Sequence, residues 1–260
     1  MNDQNRDTMP FINFNGVRMH TLSMAETVAK IMGNIENGIY TQHVVVNVAK
    51  IVNMEKDPGL RKSVTSCDII NIDGKGVVIG ARICGYKVPE RVAGIDLFYE
   101  LIKEAAIRKM PVFFLGARQE IVQKTVKRMR LEFPELKIAG FNHGYFWDDE
   151  EKVVEKIKAS KATLLFVAIT SPKKENFINK WKNELGVQFV MGVGGTFDVI
   201  SGKVKRAPLF MQKLGMEWLY RVYQEPRRMW KRYLITNSRF LLILIKELHR
   251  NFGKRTEVVS

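Results

Sequence analysis

A carboxylate at the end of an apolar run, followed at once by glycines, is the most chemically suggestive feature of this sequence. Asp73 follows the run Ile69–Ile72, and glycines stand at positions 74 and 76. Asp73 can simply cap the next helix, because Asp is a favoured N-cap and glycine tolerates the turn. It can also act as a general base, since small neighbours leave a carboxylate open to a substrate hydroxyl. A third interpretation is a loosened dinucleotide loop, GKGVVIG, although its spacing is off by one residue.

A second candidate site is the glycine-rich segment GVGGTFDVISGKVKRAP, which begins at Gly192. Glycines let backbone N–H groups approach a phosphate closely, although glycine pairs also form plain turns. The basic run that follows favours an anionic ligand. The residues predicted to bind it are Gly192, Gly194, Gly195, Thr196, Asp198 and Arg206.

A third candidate is the segment ITSPKKENF, which opens a helix with Ser171 as its expected cap. Lys173 and Lys174 then fall in the first turn, where cations oppose the helix dipole. Their presence is explained if an anion binds there. The alternative is a pair of solvated lysines beside Glu175.

Six short apolar runs, separated by amphipathic helical patterns, would carry these residues. They are HVVVNV, DIINI, PVFFLG, LKIAGF, ATLLFVAI and VQFVMGV. Such runs indicate parallel strands covered on both faces, so we predict an α/β, Rossmann-like, doubly wound and mainly parallel sheet over residues 1–202. Ligands of such folds bind beyond the carboxyl ends of the strands. Small or polar residues gather at these ends, among them Asn47, Asp73, Gly74 and Gly116.

Residues 203–260 follow a different pattern, which predicts a helical appendage. This segment has 14 Lys and Arg against four Glu, so it carries ten of the fifteen net positive charges. Aromatic residues alternate with the basic ones, and the apolar block Phe240–Ile245 follows. That combination favours a helix lying at a membrane surface, with a core-docking helix and a nucleic-acid-binding surface as alternatives.

Composition limits the remaining possibilities. The chain has 260 residues with 46% hydrophobic and 27% charged, and no apolar run approaches the roughly 18 residues of a membrane span. No secretory pattern opens it and its two cysteines suit a reducing compartment, so we expect a cytoplasmic protein. The His, Asp and Glu spacings do not suggest a metal site, and we expect no cofactor.

Several blocks, in order and evenly spaced, resemble the bacterial TagA/WecG/CpsF glycosyltransferases. They are DGKGVV with PERVAGIDL, FFLGA, GYF, SPKKE, GVGGTFDVISGKVKRAP and GMEWLYRVYQEPRR. The resemblance implies a metal-independent, inverting transfer of a sugar, N-acetylmannosamine in the best-known members, from UDP to a polyprenyl-diphosphate-linked saccharide at the inner face of the cytoplasmic membrane. It implies that Asp73 is the general base. It also implies that the appendage closes over the site and brings Arg221 and Arg228 to the substrate phosphates, with Lys231 at a further such position.

The chain departs from the family pattern beside the expected donor sugar. Lys174 and Ser171 replace a common Gln and Gly, and Val45 replaces a Thr two residues before Asn47. A uronic acid or a plain hexose is therefore also considered as the transferred sugar, because Lys174 can pair with a carboxylate.

The rival functions are a basic nucleic-acid-binding protein and a nicotinamide-dependent oxidoreductase. If the chain is a transferase, we expect no nucleic-acid partner. A homo-oligomer is left open.

Overall fold

The computed structural model describes residues 9–257, apart from the side chains of Lys213, Arg228, Arg232 and residues 252–257. Within that range, eight strands form one sheet in the order β1-β2-β4-β3-β8-β7-β5-β6. All neighbours pair in parallel except the β1–β2 hairpin. The strands are β1 (Phe11–Phe14), β2 (Val17–His20), β3 (Thr41–Val46), β4 (Ile69–Ile72), β5 (Val112–Gly116), β6 (Ile138–Asn142), β7 (Leu164–Ala168) and β8 (Phe189–Gly192).

Helices cover both faces of this sheet. The described helices are α1 (Met24–Glu36), α2 (Val48–Met54), α3 (Pro58–Thr65), α4 (Lys75–Ile83), α5 (Gly94–Ile107), α6 (Gln119–Glu132), α7 (Glu150–Ala159), α8 (Lys173–Trp181), α9 (Thr196–Ile200), α10 (Leu209–Leu214), α11 (Glu217–Gln224) and α12 (Pro226–Glu257). Helices α1, α5, α6 and α9 pack on one face, and α2, α3, α4, α7, α8 and part of α12 pack on the other. Successive strand residues point to opposite faces, so Ile69 and Ile70 belong to different clusters and the runs are apolar throughout.

The predicted fold class is confirmed, and the six apolar runs form β3 to β8. The prediction missed the β1–β2 hairpin at the sheet edge. Its turn, Asn15-Gly16, has positive φ at both residues, 53° and 69°, which is the backbone that an Asn-Gly pair readily adopts. That dipeptide was the available signal, and the short flanking strands obscured it.

Part of the C-terminal segment packs on the core. Phe240 and Ile243 of α12 are buried in the same cluster as Val77 of α4. The buried Glu247 accepts hydrogen bonds from the Tyr86 hydroxyl (2.6 Å) and the Asn15 amide (3.2 Å). The prediction that the whole block Phe240–Ile245 lies at a membrane surface is therefore wrong for its two buried members. The division of the chain at residues 202 and 203 stays a prediction.

Candidate functional site

The carboxyl ends of β4, β3 and β8 form a rim that carries several of the predicted residues. The amide of Asp73 donates to the Val46 carbonyl oxygen at 2.8 Å, which ties the end of β4 to the end of β3. A Cβ on Gly74, whose φ is +100°, would lie 3.7 Å from the Cβ of Asn47. Asn47 caps α2 by accepting a hydrogen bond from the Lys50 amide at 3.0 Å. Asn47, Asp73 and Gly74 are thus neighbours.

The Asp73 carboxylate faces helix α5 instead of capping α4. Its Oδ2 accepts a long hydrogen bond, 3.5 Å, from the Gly94 amide in the first turn of α5. The N-cap of α4 is Gly74, which makes no side-chain capping bond. The capping interpretation of Asp73 is therefore wrong. The residue Asp73 is partly exposed at the rim, although its carboxylate is largely buried.

Burial and nearby charges act on this carboxylate in opposite directions. Burial raises the pKa of Asp73, and the charge of Glu217 raises it further. The charges of Arg91 and Arg221 and the hydrogen bond from Gly94 lower it, but they do not outweigh burial. The pKa of Asp73 is therefore raised above its ordinary value, as is common for a carboxylate that accepts a proton during catalysis.

Two ionic contacts hold α11 and the chain before α10 against the segment that contains the start of α5. Arg91, on the segment before α5, pairs with Glu217 at 3.3 Å. Arg206 makes a two-pronged contact with Asp96 in the first turn of α5, at 2.6 and 2.8 Å. Arg221 lies one turn after Glu217 and is exposed. Arg91, before α5, and Arg221, on α11, therefore both lie close enough to act on the Asp73 carboxylate by their charge.

A buried ionic cluster lies where α2, α8 and β8 meet. Lys50 and Lys174 contact the same oxygen of Glu175, at 2.8 and 2.9 Å, and each of the three side chains is less than a tenth exposed. Burial and the charge of Lys50 lower the pKa of Lys174 to about 8. Burial alone would raise the pKa of Glu175, but the two lysines lower it to about 2. The cluster therefore carries an excess positive charge when both lysines are protonated.

Lys174 differs from its sequence-based prediction. It is buried against Gly192, where an added Cβ would lie 2.7 Å from its Cε, so the solvated alternative is wrong for this lysine. Ser171 is exposed and does not cap α8, whose N-cap is Pro172, so that expectation is also wrong.

The glycine-rich loop after β8 is open at its centre. A Cβ on Gly194 or Gly195 would meet no atom within 4 Å, so both glycines face free space. The Thr196 hydroxyl is already engaged, because it donates to the Val193 carbonyl oxygen at 2.8 Å. Asp198 pairs with Lys203 at 3.0 Å. Open backbone at the two glycines is the feature that suits an anionic ligand.

Gly116, Lys231 and Arg228 are the remaining predicted residues, and of these Gly116 lies apart from the rim. Gly116 ends β5, four strand spacings of about 4.8 Å from β4. Its φ is +125° and a Cβ would lie 2.4 Å from the Ala168 carbonyl oxygen, so close strand packing accounts for the glycine. Lys231 is exposed on α12. The side chain of Arg228 lies outside the described residues.

Sequence reasoning missed three charged residues of the site, namely Lys50, Arg91 and Glu217. Arg91 stands inside the block PERVAGIDL and Glu217 inside GMEWLYRVYQEPRR, so both motifs were visible but the pairing between them was not. Lys50 had no signal, because a single Lys in an amphipathic helix is usually solvated.

Residues 9–257 contain neither a metal-binding cluster nor a membrane-spanning helix. No group of three or more His, Cys, Asp or Glu side chains there is arranged to hold a metal ion. No helix in the same range is long and apolar enough to cross a membrane.

A sheet of this class, with a carboxylate and a glycine-rich loop at its carboxyl edge, suits transfer of a group from a nucleotide-linked donor. The chain belongs to the glycosyl transferase WecG/TagA/CpsF family, whose model matches residues 12–254. It is 40% identical over 179 residues, 69% of each chain, to the N-acetylglucosaminyldiphosphoundecaprenol N-acetyl-beta-D-mannosaminyltransferase of Bacillus spizizenii. It is 35% identical over 192 residues, 74% of each chain, to the protein of the same name from Bacillus subtilis. The chain is therefore a glycosyltransferase.

Proposed function

We propose that this chain transfers a sugar from a UDP-sugar to a polyprenyl-diphosphate-linked saccharide by inverting single displacement, in the synthesis of a cell-surface polysaccharide. The observation that carries the proposal is Asp73, a partly exposed residue with a raised pKa, on the same carboxyl edge of the sheet as the open glycine-rich loop. The two Bacillus relatives support the acceptor class, since their names specify a diphosphoundecaprenol-linked sugar.

Asp73 would be the general base. It would accept the proton of the acceptor hydroxyl as that oxygen attacks the anomeric carbon and the bond to UDP breaks on the opposite face. A raised pKa makes the ionised carboxylate a stronger base. The proton ends on Asp73 and the negative charge ends on the departing UDP.

The departing diphosphate would be stabilised by backbone N–H groups and cations instead of a metal ion. The N–H groups would come from Gly194 and Gly195, and the cations from Arg221 and Arg228. Arg206 contributes indirectly, because its contact with Asp96 holds the chain before α10 against α5. Activity that survives removal of divalent ions by a chelator would support this assignment, and loss of activity would contradict it.

The donor sugar is N-acetylmannosamine by analogy with the relatives, with a related hexose or uronic acid as the second candidate. The excess charge of the cluster of Lys50, Lys174 and Glu175 favours an anionic group nearby. Both the donor diphosphate and a sugar carboxylate meet that requirement.

The reaction would take place at the inner face of the cytoplasmic membrane. The basic C-terminal segment suits contact with anionic lipid there, since ten of the fifteen net charges lie in residues 203–260.

The test is a panel of UDP-sugars offered with a short-chain lipid-diphosphate acceptor, with the product identified by mass. Asp73→Asn should lower the transfer rate by about 10² to 10⁴, because a positioned general base contributes about that much. UDP binding and the melting temperature should stay close to wild type. Full transfer activity in Asp73→Asn would remove Asp73 from the mechanism, and no product from any donor would refute the proposed function.

A further inference from the structure

Helix α12 carries exposed apolar side chains along one flank. Trp230, Leu234, Leu241 and Ile245 are each at least 44% exposed. Their spacings of four, seven and four residues place them on one side of a helix with about 3.6 residues per turn. This exposed side is continuous, and it differs from the side that carries the buried residues Phe240 and Ile243.

Helix α4 of the core extends this face. Gly80 of α4 meets Leu244 of α12 so closely that an added Cβ would lie 2.6 Å from a Leu244 methyl carbon. Ile83 follows Gly80 by three residues and Leu241 precedes Leu244 by three, so each lies one turn from the crossing. Ile79 and Ile83 are 52% and 59% exposed. We define the apolar strip as Ile79, Ile83, Trp230, Leu234, Leu241 and Ile245.

Basic residues border the strip. Arg227 and Lys231 lie beside Trp230, Lys246 follows Ile245, and Lys75 lies one turn before Ile79. Apolar side chains bordered by long cations are typical of a surface that rests on anionic lipid, where the side chains enter the interface and the cations reach the headgroups. A second copy of the chain fits less well, because each copy carries a net charge of +15.

We infer that the membrane-binding surface is shared between the core and the C-terminal segment, and that this sharing keeps the end of β4, which carries Asp73, close to the lipid. Asp73 stands two residues before α4 and six residues before Ile79, so the strand end and the core part of the strip lie on consecutive segments of the chain. A lipid-linked diphosphate at headgroup level would then meet Asp73 without leaving the membrane. The second half of this inference rests on the proposed function; the lipid contact does not.

The test compares full-length Ile79→Ser/Ile83→Ser with a matched control, Ile107→Ser/Leu131→Ser. Both control residues are 68% exposed and lie on α5 and α6, which cover the opposite face of the sheet. The measurement is co-sedimentation with vesicles of zwitterionic lipid containing about a third anionic lipid. The α4 variant should bind at least about tenfold more weakly, because two apolar side chains lose their burial in lipid, and the control should bind like wild type.

Transfer assays separate this inference from the proposed function. The α4 variant should keep its rate with a short-chain, water-soluble acceptor and lose rate with a long-chain acceptor in vesicles. Wild-type vesicle affinity in the α4 variant would overturn the inference. The inference would also be overturned if the α4 substitutions converted a dimer to a monomer without changing lipid binding. If wild-type protein transfers no sugar at all, the proposed function fails while the sedimentation result still decides the lipid contact.

Discussion

At the scale of single residues, the site depends on a carboxylate whose basicity is tuned by its neighbours. Burial raises the pKa of Asp73, and Arg91 is the strongest of the groups that lower it. Glu217 neutralises part of that effect, because it pairs with Arg91 and itself raises the pKa. The contact between Arg91 and Glu217 therefore links the position of α11 to the basicity of Asp73.

Arg91→Gln should shift the acidic limb of the pH profile of kcat/KM to higher pH. Asp73 must be ionised to act as a base, and activity is lost as the pH falls through its pKa. Removing the positive charge of Arg91, and leaving Glu217 unpaired, raises that pKa further. The check is a pH series of kcat/KM for wild type and variant, with the exposed Arg130→Gln on α6 as control. An unshifted acidic limb would mean that Arg91 does not act on the base.

At the scale of elements, neighbouring side chains of α12 divide between packing on the core and the proposed contact with lipid. Phe240 is buried and packs on Phe14 with ring centroids 6.2 Å apart. Leu241, the next residue, is 58% exposed in the apolar strip. Removing the whole segment after Pro208 would uncover the core cluster around Val77, so truncation cannot separate folding from membrane binding.

Substitution of these two neighbours should separate the roles. Phe240→Ala should destabilise the fold by about 3 to 5 kcal/mol, because it leaves a cavity in the core, and lower the melting temperature by roughly 10 °C. Leu241→Ala should leave the melting temperature within about 1 °C, since exposed substitutions change stability little, and should weaken vesicle binding. Thermal unfolding and vesicle sedimentation of both variants are the measurements. The reverse assignment of effects would contradict the packing of α12.

The elements also show what the sequence could and could not predict. Strands β3, β4, β5, β7 and β8 were predictable because they are buried on both faces and therefore largely apolar, whereas β6 lies at the sheet edge and is half-buried. The rim residues Asn47, Asp73 and Gly74 were predictable because parallel strands end at one edge. Contacts between distant segments, such as Arg91 with Glu217 and Lys50 with Glu175, were not. Such pairs depend on how helices dock, and a sequence pattern with local periodicity carries no information about that.

At the scale of the whole molecule, charge is distributed unevenly. The net charge is +15, and most of the excess lies in the C-terminal segment that borders the apolar strip. Long-range attraction to an anionic surface would therefore turn this part of the molecule toward the membrane before the apolar side chains make contact.

Vesicle binding by the wild-type protein should weaken as salt is added, and should weaken less when the vesicles contain only zwitterionic lipid. The screening length falls from about 8 Å at 0.15 M to about 3 Å at 1 M, which removes the attraction between exposed charges and headgroups but leaves burial of the apolar strip. Sedimentation across a salt series measures both components. Binding that is insensitive to salt with anionic vesicles would contradict a role for the basic border.

The first hairpin and the last helix of the described residues pack against each other. The backbone amide of Asn15 in the β1–β2 hairpin donates a hydrogen bond to Glu247, and Phe14 packs on Phe240. A ribosome releases the N-terminal hairpin long before it makes α12, so the sheet edge has to wait for its covering until synthesis is nearly complete. The apolar strip is assembled at that same moment. A nascent chain therefore lacks the complete apolar strip, and cannot be held on a membrane by it, until the residues before α12 have been synthesised.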